Sequence, residues 1–499
     1  MYLLGVDVGT SKIKAALTDF GGKQLDMESM PVKTLHPFEG ASEIDMDALW
    51  GSFCRIVKIL VERNPQVAGK VEGIGVTGQG DGLWAIDGQG KPVGNAILWN
   101  DTRSKFLQLD NREEIDDICV RHNANVVYAG SWHILLRWMK EHKRKEYDSI
   151  AALLHCKDWI NYKLTGAIGT DHSDASTALL DTYEKTYATE ILDAMGLEGK
   201  GELFPKPVPS TTVIGRTTKA AGMETGLEEG IAVVAGSIDV AAVALGLGVA
   251  ETGNACTIIG TTLCNEIVLE KGNLDFRNNM VVCHIPEERY MSVMPTLNGT
   301  SAIDWIKDML FPGDGFDVLE KRLSDVPVGS GGVVFHPYLY GERAPFRNPF
   351  ATGSFLGLTV TSTKDDLGRA AYEGLAMSLC ECYRSFPDIY DSIRVSGGGA
   401  NSRLLCQIIA DSMGKPVIRP NEEELGIKGI IRTLQLGLGL EEASNRGYLE
   451  GRDEGASVFI PDEGNHREYE AILERFLDLR NQMASTWKRD WKGQHRNER

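Results

Sequence analysis

One short break in the chain occurs twice, and the repetition limits what the chain can fold into. Near the start, Asp7-Val8-Gly9-Thr10-Ser11 interrupts two strand-like runs. About halfway along, Gly260-Thr261-Thr262 does the same between Ala255–Ile259 and Leu263–Val268. A Gly-Thr-Ser/Thr turn between strands exposes backbone N–H groups and hydroxyls in a tight concavity suited to phosphate oxygens. Either turn alone fits an ordinary β-turn. The pair, one per half with an acid ahead of the first, suggests two related domains gripping one nucleotide.

At 499 residues the chain exceeds one core, so two domains are the default. Hydrophobic content of 42% and charged content of 24% fit a globular protein. A net charge of −18 argues against a nucleic-acid partner and an acidic membrane surface. It leaves room for an anionic nucleotide, because a local cradle and a bound cation override the global field. No apolar stretch reaches ~18 residues, so no membrane span is expected. Met1-Tyr2-Leu3-Leu4-Gly5 has no basic region ahead of an apolar one, so no signal peptide is expected. Nine scattered cysteines without a CxxC pair predict reduced thiols in the cytoplasm.

Residues 2–8, 12–19 and 23–30 read as successive strands, with Gly21-Gly22 making the second turn. A helix starts near Asp45, carries Leu49, Phe53, Ile56, Val57 and Leu60 on one face, and stops before Pro65. Val71–Val76 is a short apolar strand running into Gly78-Gln79-Gly80-Asp81-Gly82. Leu83–Ile86 and Ala96–Trp99 flank a Gly/Pro turn, and helical patterns come next around 132–143 and 151–164. Residues 198–230 are loop-rich, and Ile231–Ala235 is a buried strand opening into Ser237-Ile238-Asp239 before a helix from about 240. A second strand-rich unit begins near 253 and repeats the first unit's order, which predicts domains over 1–248 and 249–499. Residues from about 465 read as a polar, amphipathic C-terminal helix.

Four features carry chemistry. Asp7 sits two residues before Gly9-Thr10, and an acid beside a phosphate cradle is repulsive unless a divalent cation intervenes. It is therefore a candidate magnesium anchor. Lys14 on the next strand is a candidate phosphate contact, although a solvated strand lysine is the more ordinary reading. Asp239, between a buried strand and a helix, suits a base that takes a hydroxyl proton and equally suits an N-cap. The run Ser396-Gly397-Gly398-Gly399-Ala400-Asn401-Ser402, between a strand and a helix, fits close approach by a purine or an α-phosphate, or a plain flexible loop. Gln79-Gly80-Asp81-Gly82 with Trp99-Asn100-Asp101 offers a carboxylate, amides and an aromatic face to a small polyhydroxylated ligand, or forms a polar hairpin loop over a core tryptophan. No GxxxxGK[ST], GxGxxG after the first strand, HExxH, GxSxG or zinc spacing occurs.

Together these residues resemble the FGGY carbohydrate kinases of the actin/hexokinase/Hsp70 ATPase superfamily. The most specific match is Gly353-Ser354-Phe355-Leu356-Gly357-Leu358, followed after seven residues by Asp366-Leu367-Gly368-Arg369-Ala370-Ala371-Tyr372-Glu373. Tyr340–Pro345, Lys157-Asp158-Trp159 and Leu164-Thr165-Gly166 are also similar. The resemblance implies an α/β fold of two actin-like (ribonuclease H-like) domains with a central cleft. It also implies an ATP- and magnesium-dependent phosphotransferase acting on a hydroxyl of a small sugar or polyol. By the same resemblance Asp7, Gly9, Thr10 and the adjacent Ser11 match the first phosphate motif, and Gly260, Thr261 and Thr262 the second. Gly398, Gly399 and Asn401 match the adenosine motif, and Asp239 matches the catalytic base. Gly80 and Asp81 fall where xylulokinases carry Met-His and glycerol kinases Arg-Glu. Gln79-Gly80-Asp81-Gly82 is more like the erythritol kinases, with L-xylulose kinases close behind. With Trp99, these residues form the candidate acceptor site.

The chain departs from the family at Leu135, where many members have lysine, and at Glu424–Gly429, where members usually have a small-residue helix with alanines. A chaperone-type ATPase would need a β-rich domain after residue 460. A silent sugar sensor would not need Asp7, Asp239 and both Gly-Thr turns together. A glycerol-type kinase is the remaining alternative, and a homodimer is among the open oligomeric states.

Overall fold

The computed structural model describes residues 1–67, 69–107, 111–277, 279–440 and 455–494. The chain divides into two compact units. The first holds Met1–Ala250, Leu269–Met291 and the described residues of 424–452. The second holds Glu251–Val268, Ser292–Glu423 and the described residues of 453–499.

In the first unit β1 (Tyr2–Val8), β2 (Lys12–Asp19) and β3 (Gln24–Pro31) form the antiparallel meander that the turn residues predict. Helix α1 (Met46–Arg63) is capped by Asp45, whose carboxylate accepts from Ala48 N–H at 2.9 Å. Its apolar stripe of Leu49, Phe53, Ile56, Val57 and Leu60 is buried with Val6, Val8, Ile74 and Val76 in one core. Strand β4 (Val71–Gly78) runs parallel to β1. Next come β5 (Trp84–Asp87) and β6 (Ile150–Leu154), which pair with each other antiparallel. The helix expected over 151–164 is therefore only helical from Cys156 to Thr165 (α2). Ile150-Ala-Ala-Leu-Leu is too short an apolar run to declare its period, and pairing with β5 decides it as strand.

Strands β7 (Val213–Arg216), β8 (Ala232–Val234) and β9 (Ser237–Ile238) complete the sheet in the order β7-β8-β4-β1-β2-β3, with β9 alongside β4. Helix α3 (Asp239–Gly246) begins directly after β9. The sheet's other face receives α4 (Leu425–Gly437), distant in sequence but part of this unit. Register partners Gly5 and Gly75 make the seat: a Cβ on Gly5 would lie 2.9 Å from Ile431, and one on Gly75 3.0 Å from Ile430. Helix α4 also closes on α3, since a Cβ on Gly429 would lie 1.8 Å from the Ala242 carbonyl. Gly429 thus supplies the small-residue contact, and Lys428 beside it is half-buried.

The second unit repeats the pairing. β10 (Ala255–Ile259) and β11 (Leu263–Leu269) form a hairpin, and β12 (Ile393–Ser396) lies parallel on the far side of β10, as β4 does beside β1. β13 (Val417–Arg419) and β14 (Ser457–Phe459) extend it. The C-terminal helix spans Glu463–Gln494.

The Gly353–Glu373 signature turns out to be scaffold. Thr363 and Asp366 cap the helix Lys364–Arg384 reciprocally. Glu373 accepts from Ser330 Oγ (2.7 Å), Gly329 N (3.1 Å), Arg369 Nε (3.1 Å) and the Tyr469 hydroxyl (3.0 Å), tying three segments to one buried carboxylate. Among the described residues no helix is long and apolar enough to cross a membrane.

Candidate active site

Three parallel strands of the first unit stop level with one another. Val8 on β1 faces Gly78 on β4, and Gly78 faces Ile238 on β9. The residues that leave each strand therefore collect at one sheet edge, where open α/β folds bind ligands. Gly9-Thr10 leaves β1, Gln79-Gly80-Asp81 leaves β4 and Asp239 leaves β9.

The first turn closes by Gly9 N–H donating to Lys12 O at 3.0 Å. This donor, expected to face a phosphate, is used inside the hairpin. Thr10 faces inward as well: its hydroxyl donates to Gln79 Oε1 (3.2 Å) and accepts from the Trp99 indole N–H (3.2 Å). That three-residue link joins the phosphate turn to the acceptor loop, and residue spacing could not reveal it. Ser11 is exposed, with its carbonyl accepting from Val32 N–H at 2.9 Å. Lys14 is held by Glu424 at 2.6 Å, both partly exposed.

The acceptor loop is tight. Asp81 has φ 53° and Gly82 φ 76°, a left-handed pair that aspartate and glycine tolerate. Gly82 N–H donates to Gly130 O at 2.8 Å, which brings the Tyr128 segment alongside. The Tyr128 hydroxyl donates to Asp81 Oδ2. Tyr128 was absent from the sequence-derived site because nothing in its neighbourhood marks it. Gly80 is glycine for a steric reason: a Cβ there would lie 2.1 Å from Ile238 Cδ1. Ile238 therefore takes the volume that a larger residue 80 would need. Asp101 contributes no free carboxylate, since it accepts from Ser42 N–H (2.7 Å) and from the Arg103 guanidinium (2.8 Å).

Asp239 opens α3 rather than capping it, and its Oδ1 accepts from Val240 N–H at 2.7 Å. Burial pushes its carboxyl up to about 7, and the charges of Asp7 and Asp81 push the same way. Burial also raises Asp7, to about 6, with Lys14 pulling it down and Glu424 pushing it up. Because Asp7 and Asp81 both act on Asp239, the three carboxylates share one electrostatic environment.

The second unit collects its motif residues in the same way, since Ile258 on β10 faces Ser396 on β12. Gly260 N–H closes its turn on Thr262 O at 2.9 Å, and Gly260 O accepts from Thr300 N–H at 2.9 Å. Thr261 is exposed and Thr262 half-buried. Gly398–Asn401 form a single 3₁₀ turn before the helix Arg403–Met413. The glycines differ in role. A Cβ on Gly399 would lie 2.3 Å from Ile259, whereas one on Gly398 would meet nothing within 4 Å, leaving its backbone open to a ligand. Asn401 is exposed at the turn's end, and its carbonyl accepts from Arg419 at 3.3 Å.

A magnesium ion is implied by the family resemblance. Among the described residues no group of three or more His, Cys, Asp or Glu could hold a metal. The half-buried Asp7 carboxylate, with Asp239 in the same field, still fits this ion, which takes one or two carboxylates and completes its shell with phosphate and water.

The profile of the FGGY family of carbohydrate kinases, N-terminal domain, matches residues 2–246, and that of the C-terminal domain matches residues 255–434. The chain is 30% identical over 476 residues to a xylulose kinase of Staphylococcus epidermidis, covering 94% of each. It is 29% identical over 515 residues to an erythritol kinase of Brucella abortus, covering 97% of each. Its fold superposes on a ligand-bound xylulose kinase of Lactobacillus acidophilus with a TM-score of 0.90 at 23% identity, over 98% of this chain and 99% of that one. The repeated hairpin units, the strand-end carboxylates and both profile matches agree, and the chain belongs to the FGGY family of carbohydrate kinases.

Proposed function

We propose that this carbohydrate kinase transfers the γ-phosphoryl group of ATP to a hydroxyl of a neutral four- or five-carbon acceptor, a polyol of the erythritol type or a ketose of the xylulose type. The observation that carries the reading is the level ending of β1, β4 and β9, which gathers Asp7, Gln79, Asp81 and Asp239 at one edge. The names of the relatives, xylulose kinase and erythritol kinase, support the acceptor class. Three carboxylates in one field disfavour an acceptor that is itself anionic, because it would add to their repulsion.

In this reading Asp239 orients the acceptor hydroxyl and takes its proton. Asp81, steadied by Tyr128, hydrogen-bonds acceptor hydroxyls, and Gln79 and Trp99 hold the loop against Thr10. The turn at Gly9, Thr10 and Ser11 and the turn at Gly260, Thr261 and Thr262 bind the phosphates, and Gly398, Gly399 and Asn401 bind the nucleoside. Lys14, paired with Glu424, contributes positive potential beside Asp7. Magnesium would be held by Asp7, and when bound it supplies charge neutralisation to the phosphates. The transition state of such transfers is loose, so alignment and charge compensation dominate.

ADP release with Mg-ATP should be measured against erythritol, D- and L-xylulose, D- and L-ribulose, xylitol, L-arabinitol, glycerol and gluconate. Highest turnover is expected with a neutral four- or five-carbon acceptor. Preference for gluconate, or silence across the panel with ATP still binding, overturns the reading. A second expectation concerns Asp81→Ala. Loss of a hydrogen bond to a charged group, worth roughly 1.5–3 kcal/mol, should raise the acceptor KM about ten- to a hundredfold and leave the ATP KM within about twofold. Equal effects on both would make Asp81 structural.

A further inference from the structure

Behind the base lies a buried polar chain that the transfer step does not itself use. Side chains hold three backbone groups of the segment entering Asp239. Ala235 O accepts from Asn161 Nδ2 at 2.9 Å, and Ser237 O accepts from Thr77 Oγ1 at 2.8 Å. Gly236 has φ 74°, and a Cβ there would lie 1.9 Å from the Val76 carbonyl. The last backbone donor before the base, Ile238 N–H, donates to Ser173 Oγ at 2.9 Å.

Ser173 has one hydroxyl proton, and it goes to Asp171 Oδ2 at 2.6 Å. The oxygen lone pair is thereby turned toward Ile238 N–H. Asp171 Oδ2 also accepts from Ser173 N–H (2.8 Å) and from Ser210 Oγ (2.6 Å). Asp171 Oδ1 faces the Lys157 ammonium at 3.0 Å. Lys157, Asp171 and Ser173 are all fully buried. The short O–H to carboxylate bonds are of the charge-assisted kind, which are stiff in direction as well as strong. An ordered path therefore runs from Lys157 through Asp171 and Ser173 to the amide one residue before Asp239.

We infer that Ser173 and Asp171 are positioning residues for phosphoryl transfer, fixing the Asp239 carboxylate through the Ile238 amide. The inference rests on the reading of Asp239 as the base. A displacement of about 1 Å in a reacting group costs on the order of a hundredfold in rate. Two aligned bonds at 2.9 and 2.6 Å are the kind of restraint that prevents it.

The test compares Ser173→Ala with Ser210→Ala. Both remove a hydroxyl that donates to the same oxygen of Asp171 at the same distance, but only Ser173 reaches Ile238. Ser173→Ala is expected to lower kcat about 10- to 100-fold, with KM for ATP and acceptor within about threefold. Amide exchange should quicken in the peptide covering 236–240. Ser210→Ala is expected to keep kcat within about threefold, and Ser173→Thr, which restores the hydroxyl, should recover most of the loss. If Ser173→Ala does not accumulate as folded protein, Ser173→Cys keeps the size, weakens the hydrogen bonds and carries the same comparison. Wild-type kcat in Ser173→Ala or Ser173→Cys, or an equal loss in Ser210→Ala, overturns the positioning role. Asp239→Asn run alongside separates the two ideas. Normal turnover in that variant removes the base assignment, whereas normal exchange at 236–240 in Ser173→Ala removes the relay.

Discussion

Asp239→Asn is expected to bind ATP as the parent protein does and to lose phosphoryl transfer by a factor on the order of 10²–10⁴. The amide keeps the size of the side chain and can still accept from Val240 N–H, so α3 should start unchanged. What it loses is the capacity to take a proton. The pH dependence gives a second reading of the same group. In the nucleotide-free protein the carboxyl is pushed up to about 7 by burial, Asp7 and Asp81. A protonated acid cannot act as base, so kcat/KM for ATP should fall below about pH 7 and level off above it. Removing the neighbouring charge in Asp81→Asn favours the ionised form of Asp239, so the limb should move to lower pH. The asparagine variant should show no such limb in its residual activity. Turnover above half the parent rate, or an unchanged acid limb in the variant, would exclude Asp239 as the base.

The sequence showed where this site lies better than how it is wired. Gly-Thr turns flanked by strand runs are local signals, and both hairpins form where the turn residues place them. Asp45 before an apolar stripe and Pro65 after it bracket α1 for equally local reasons. The Ile150–Leu154 run misled because five apolar residues fit either period, and only its partner at Trp84–Asp87 makes it a strand. The wiring is non-local. Thr10 meets residues 69 and 89 positions away, and Tyr128 meets Asp81 across 47. Such contacts arise from the level strand ends and leave no periodic trace. Some glycines carry a steric meaning that sequence context does not show. Gly80 yields its space to Ile238, and Gly429 supplies the close contact to the Ala242 carbonyl.

Lys157→Met is expected to be the most destabilising single change outside the reacting groups. The ammonium is fully buried and faces Asp158 at 2.5 Å, Asp171 at 3.0 Å and Asp174 at 3.1 Å. Methionine fits the volume but leaves three buried acids without their cation. Breaking a buried ion pair by removing one partner costs about 3–5 kcal/mol, since the remaining charge stays desolvated. Urea unfolding of the first unit should report a loss of that size. The pH trend distinguishes charge from packing. In the parent, the lysine is held well above its usual value by the three carboxylates, so its contribution is complete below ~10 and fades only as pH rises through the folded value. Asp158 is held well below the carboxylate range by Lys157 against the cost of burial, so its contribution is present above ~4 and lost on acidification. In the variant the sign reverses for Asp158. Without the cation, burial raises it, the folded state takes up a proton, and the deficit should shrink by about 1.4 kcal/mol per pH unit while that proton binds as pH falls from 8 to 5. Adding Asp171→Asn and Asp174→Asn to Lys157→Met should recover part of the loss at pH 8, because neutral amides remove the unpaired charge. A deficit that stays constant with pH and is untouched by those substitutions would assign the role of Lys157 to packing alone.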